Sequence, residues 1–86
     1  MDRSVMEKIK QKLDQTISNK KELLQLAKSL SNIDDSKSFA LGIVVGRLYN
    51  SFYYQTKRIL NREPTKIEFV EFLEFINSKK SELDLW

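Results

Sequence analysis

Apolar side chains recur along most of this chain at the three- and four-residue spacing of an α-helix, not the alternation of a strand. Val5, Ile9, Leu13 and Ile17, with Met6 beside them, draw one stripe along a helix expected over residues 5–18. Ser4 and Glu7 stand where a capping box would open it, the hydroxyl accepting a free N–H while the carboxylate reaches back. Leu23, Leu24, Leu26, Ala27 and Leu30 give a second helix, over 20–31, with Asn19 and Glu22 as its box. Thr16, Ser18 and Asn19 are weak helix formers between the two. No Gly or Pro breaks the chain there and the stripe holds its phase, so one rod over 5–30 is the alternative.

Residues 31–38 are dense in Ser, Asn and Asp, which hydrogen-bond their own backbone, and read as a loop. Asp34, Asp35 or Ser36 is placed to cap a third helix over 38–62, about 37 Å long at 1.5 Å per residue. Its first half, Phe39 to Gly46, is apolar all round, which predicts neighbours on several sides. Its second half is amphipathic, with Leu48, Phe52 and Ile59 continuing the core face of Leu41 and Val45. Pro64 ends that run, and Thr65 with Glu68 makes a third capping box for a helix over 66–80. Phe69, Val70, Phe72, Leu73 and Ile76 are its expected inner face. The fold is expected to be all-α, one antiparallel bundle of four helices, or of three if the first rod is continuous.

Composition narrows the chemistry. The 86 residues contain no Cys and no His. Disulfides, thiolate nucleophiles, imidazole bases and Cys- or His-ligated zinc are therefore excluded. Three tyrosines and scattered carboxylates on a thin bundle do not make a pocket of pKa-shifted groups, and Gly42 and Gly46 lie inside a helix, not a phosphate-binding loop. The expectation is a protein that is not an enzyme and uses no cofactor. No segment reads as a secretory leader, and the longest apolar run, residues 39–46, falls short of the ~20 residues that span a bilayer. A cytoplasmic protein without a membrane partner is expected.

Gly42 and Gly46 share one side of the third helix with Tyr49 and Tyr53. Two helical glycines each cost ~1 kcal/mol against Ala, which suits close approach of another backbone. That backbone is either helix 1 or 2 or, in a homodimer, the same helix of a second copy.

The formal charge of +3 is unevenly spread: residues 37–62 carry five basic side chains and no acid, residues 63–86 six acids and three bases. Arg47, Asn50, Ser51, Tyr54, Lys57, Arg58 and Asn61 fall on one polar stripe of the third helix. Cations, amides and an aromatic side by side suit phosphates and stacked bases, so nucleic-acid binding is one reading. The other is internal: Lys57, Arg58 and Arg62 complement a helix C-terminus, Glu63 and Glu68 the next N-terminus, and Glu68 or Glu71 meets Lys57 or Arg58 as the helices fold back. Asp34, Asp35, Glu68, Glu71 and Glu74 are all-oxygen donors of the kind that hold calcium or magnesium weakly. They do not form an EF-hand, because Lys37 falls where that loop needs Gly and Ile43 where it needs Glu. Phe75 and Ile67 lie off the expected inner stripe of the last helix, which with Trp86 suggests a protein contact. Trp86 has an alternative role, folding back over the third helix. The leading expectation is a small helical interaction module whose partner is another protein or a second copy of itself.

Overall fold

The structure is a computed structural model that describes residues 1–29 and 35–83. Asp34 in the first loop and Trp86 in the tail lie outside the described residues. Among the described residues five helices follow in order: α1 (Arg3–Ser18), α2 (Lys20–Lys28), α3 (Ser36–Leu60), α4 (Lys66–Ser78) and the single turn α5 (Lys80–Leu83). No strand occurs among the described residues. The all-α bundle expected from the spacing is what the chain forms.

α1 starts two residues ahead of the expected position, because Asp2, and not Ser4, caps it. The Asp2 carboxylate accepts from the N–H groups of Ser4 (2.9 Å) and Val5 (3.1 Å). Glu7, freed from any box, lies 3.8 Å from Arg3 on the surface. Val5, Ile9 and Leu13 are buried as expected, but Thr16 takes the last core position and Ile17 is only half-buried. A step of three after two steps of four corrects the drift of a 3.6-residue helix. The Thr16 hydroxyl is satisfied within the helix, donating to the Lys12 carbonyl at 2.7 Å.

Asn19 bends the chain without stopping it. Its backbone (φ −99°, ψ 13°) departs from the helical basin, yet its N–H reaches Gln15 and its carbonyl accepts from Leu23. The expected box with Glu22 does not form, since an N-cap needs an extended backbone and Asn19 makes no side-chain cap bond. α1 and α2 are thus separate elements that continue one another as a bent rod. Both lie along α3, not against each other.

α3 opens on Asp35, whose carboxylate accepts from the Ser38 N–H (3.0 Å) and hydroxyl (2.6 Å). It closes on Asn61, held at φ 56° and ψ 36°. Asn tolerates this left-handed conformation better than other side-chain-bearing residues, because its short amide hydrogen-bonds locally. The buried face of α3 is Ala40, Val44, Leu48, Ser51, Phe52 and Thr56. Leu48 and Phe52 were expected there. Leu41 and Val45 are half-buried and Ile59 is exposed, because the face is turned toward the small residues Ala40, Ser51 and Thr56, which let α1 and α2 approach closely. The Thr56 hydroxyl donates to the Phe52 carbonyl (2.8 Å), so its burial leaves nothing unpaired. Among the described residues the apolar first half of α3 is covered on one side only: Phe39, Gly42 and Gly46 are exposed.

α4 and α5 lie over the half of the molecule where α1 begins and α3 ends. Phe72 stacks on Phe52 with ring centres 4.7 Å apart, and Phe75 and Leu83 join the same core as Val5, Ile9, Leu13, Leu23, Val44 and Leu48. The molecule measures 40 × 22 × 22 Å, the length of a single long helix.

Candidate functional site

The rotation of α4 about its own axis decides what the surface presents. Thr65 and Glu68 form the expected reciprocal box: the Thr65 hydroxyl accepts from the Glu68 N–H (3.1 Å), and Glu68 Oε1 accepts from the Thr65 N–H (2.9 Å). Arg62 then grips the same carboxylate with both arms, Nη1 to Oε1 at 2.7 Å and Nη2 to Oε2 at 3.1 Å. With three donors on it, the carboxylate sits inside at 8% exposure without an unpaired charge. Arg62 above all, then the Thr65 N–H, holds the Glu68 carboxyl down to about 2, well below its ordinary 4.5.

Once Glu68 points inward, the expected inner face of α4 cannot. Helical spacing carries Phe72 and Phe75 in with it, and Phe75, expected outside, is buried at 7% exposure. Of the expected inner residues, Phe72 is buried and Ile76 half-buried. Phe69 (39%), Val70 (47%) and Leu73 (43%) are exposed, and Ile67 reaches 75%. α4 therefore turns four large apolar side chains to solvent, with Lys66, Glu74 and Asn77 among them.

This apolar face continues onto α3. Tyr49, itself 44% exposed, meets Phe69 edge-on with ring centres 6.2 Å apart and Tyr53 at 6.0 Å. Together with Phe52, Pro64, Thr65 and Lys66 they line a shallow groove between the two helices. The negative charge of Glu63, first of all, raises the Tyr53 phenol above its ordinary value. Gly42 and Gly46 do not serve close approach to α1 or α2, the first of the two expectations: a Cβ built on either would meet nothing within 4 Å among the described residues. They leave an open, smooth strip beyond Tyr49.

A second surface lies on the other side of the layer made by α1 and α3. Arg47, Asn50, Ser51 and Tyr54 do come together, and Lys12 of α1 joins them with Gln55 to line a depression. A second depression adjoins it, sharing Lys12, Ser51 and Gln55 and adding Lys8, Gln11 and Gln15. Ser51 is buried and forms the floor. Lys57 and Arg58 lie farther along α3, exposed and outside the lining, and Asn61 leaves the stripe altogether because its backbone is left-handed. The α1 residues escape sequence reading of α3 alone. Lys8, Gln11, Lys12 and Gln15 are nonetheless spaced three and four apart on the polar side of α1, which was the signal available.

The expected pairing of α4 acids with Lys57 or Arg58 does not occur. Glu68 is taken by Arg62, and Glu71 accepts from the Met1 ammonium at 2.5 Å. Asp35 is engaged as a cap, its carboxyl lowered first by the Ser38 hydroxyl. Among the described residues no three carboxylates converge as a metal would require. No helix among them is long and apolar enough to cross a membrane.

The molecule is thus a small all-α bundle with one apolar and one cationic surface on opposite sides of its central layer. The chain matches no protein-family model, no curated protein and no solved structure.

Proposed function

We propose that the protein is a small, non-catalytic interaction module that pairs with a second copy of itself through the outer face of α4. The observation that carries this reading is the row of Ile67, Phe69, Val70 and Leu73, each 39–75% exposed, on a helix whose rotation is fixed from the other side. Single exposed apolar residues are ordinary; four together on one short helix are not.

Charge complementarity points to a second copy as the occupant. Lys66 and Glu74 are exposed, lie four residues before and after Val70, and make no ion pair among the described residues. Two α4 helices laid antiparallel about Val70 bring Lys66 of one copy to the level of Glu74 of the other, at both ends. Ile67 and Leu73 come level in the same way. A two-fold contact must be self-complementary in this sense, and an unrelated partner imposes no such symmetry.

The test is a charge-reversal cycle read by sedimentation equilibrium. Lys66→Glu and Glu74→Lys each weaken dimerisation, and the double variant restores it, because it rebuilds the same pairs with the signs exchanged. A wild-type chain that stays monomeric at hundreds of micromolar, or a double variant no tighter than the singles, contradicts the proposal.

A further inference from the structure

We infer that the groove between α1 and α3 binds single-stranded nucleic acid. Three cations line its two depressions, Lys8 and Lys12 from α1 and Arg47 from α3, and no carboxylate does. None of the three is in an ion pair among the described residues. Lys12 donates instead to Gln15 Oε1 at 3.3 Å, which steadies its ammonium at the groove without neutralising it. The acids of α1 do not line it: Glu7 lies 3.8 Å from Arg3 on the surface, and Asp14 projects from another side of the helix. Such a site is built for an anion.

Two further observations select the kind of anion. Gln55 lines both depressions, and its Oε1, buried beneath their surface, has no hydrogen-bond partner among the described residues. A buried acceptor left without a donor is costly, so turning the Gln55 amide outward to meet a ligand N–H or O–H would relieve that cost while the cations take the negative charge. At the rim Tyr54 is 60% exposed, beside Arg47 and Asn50. It offers a free ring face, next to an amide that can meet a base edge. Phosphates for Lys8, Lys12 and Arg47, a base edge for Asn50 and the turned Gln55 amide, and a ring for Tyr54 coincide in one class of ligand, the polynucleotide. A duplex hides its base faces in the stack, whereas a single strand presents them to an aromatic side chain.

The groove lies away from α4. α1 turns Met6 and Lys10 toward α4, where they line a different depression with Glu71, Glu74 and Phe75. Nucleic-acid binding and dimerisation therefore use separate residues and fail separately.

Fluorescence anisotropy of labelled 12-nucleotide single strands and of the matching duplex, at 20 and 150 mM salt, tests the inference. Saturable binding of the single strand is expected at low salt, with the duplex weaker. Lys12→Ala and Arg47→Ala each lower the log–log salt slope by about 0.7, one phosphate contact apiece. Tyr54→Ala weakens binding by about ten-fold, consistent with loss of one stacked base, and Tyr54→Phe restores it. Val70→Glu, on the dimer face, leaves binding to one groove unchanged. Circular dichroism melts confirm that each variant is folded. No saturable binding at 20 mM salt overturns the inference. So does equal affinity for single strand and duplex, or for tripolyphosphate or anionic vesicles, with Tyr54→Ala silent.

Discussion

Glu68 shows how one side chain sets what a helix presents. Its folded-state pKa of about 2 lies below the ordinary 4.5. The stability it contributes is therefore fully present above pH ~4.5 and is lost as pH falls from there toward 2. Arg62 is partly in water, so the contribution is discounted to about 1–2 kcal/mol. Urea titrations followed by circular dichroism are expected to show the midpoint falling between pH 5 and 3, and Glu68→Gln to flatten that part of the profile. Asn61 is the second such residue. Gly accepts φ 56° without strain, so Asn61→Gly is expected to leave the melting temperature unchanged or slightly raised, whereas Asn61→Val lowers stability by about 1–2 kcal/mol. Neither role was visible from side-chain type alone. A Glu three residues after a Thr predicted the cap, but not that an arginine six residues upstream would bury it.

At the scale of elements, the helices were legible and their rotations were not. The apolar period placed four helices within a few residues of where they lie, because it is a local property of the chain, while of the three expected capping boxes only Thr65 with Glu68 formed. Which way α3 and α4 turn depends on partners distant in sequence. Small polar residues, Ser51 and Thr56, took core positions that a hydropathy pattern assigns to Val45 and Ile59. Burial of Phe72 and Phe75, with Ile76 half-buried, won over burial of Phe69, Val70 and Leu73, and the Arg62–Glu68 pair with the Thr65 cap adds to that side. The same blindness hid Lys8 and Lys12 from the basic surface, since the α3 stripe was readable and its antiparallel neighbour was not. Gly46 gives a check on the elements' surroundings. With open space around it, Gly46→Ala is expected to gain helix propensity, about 0.5–1 kcal/mol, seen as a higher urea midpoint. A loss of stability would place another backbone against that strip. Removing the α4 cap acts oppositely: Thr65→Ala is expected to cost about 1 kcal/mol in the same titration.

For the whole molecule, a central layer of α3 with the bent α1–α2 rod carries the α1–α3 groove on one side and α4 on the other. Pairing through α4 would leave two cationic grooves facing away from the dimer contact, so that one assembly engages two strands or two stretches of one strand. Linking two sites in this way raises apparent affinity for a long strand by 10²–10⁴-fold over a short one, without any new contact. Val70→Glu is expected to remove that advantage while sparing the short-strand affinity, which anisotropy with 12- and 40-nucleotide probes would read. The central claim, that α4 is pinned with its apolar side outward and meets itself there, has a direct measurement because the chain contains no cysteine. A single Val70→Cys, placed next to the proposed two-fold axis, should form a disulfide-linked dimer rapidly under mild oxidation, seen on non-reducing gels at twice the 10.2 kDa of the chain. Asp14→Cys, also exposed but on α1, should not. Cross-linking no faster at position 70 than at position 14 would contradict the account.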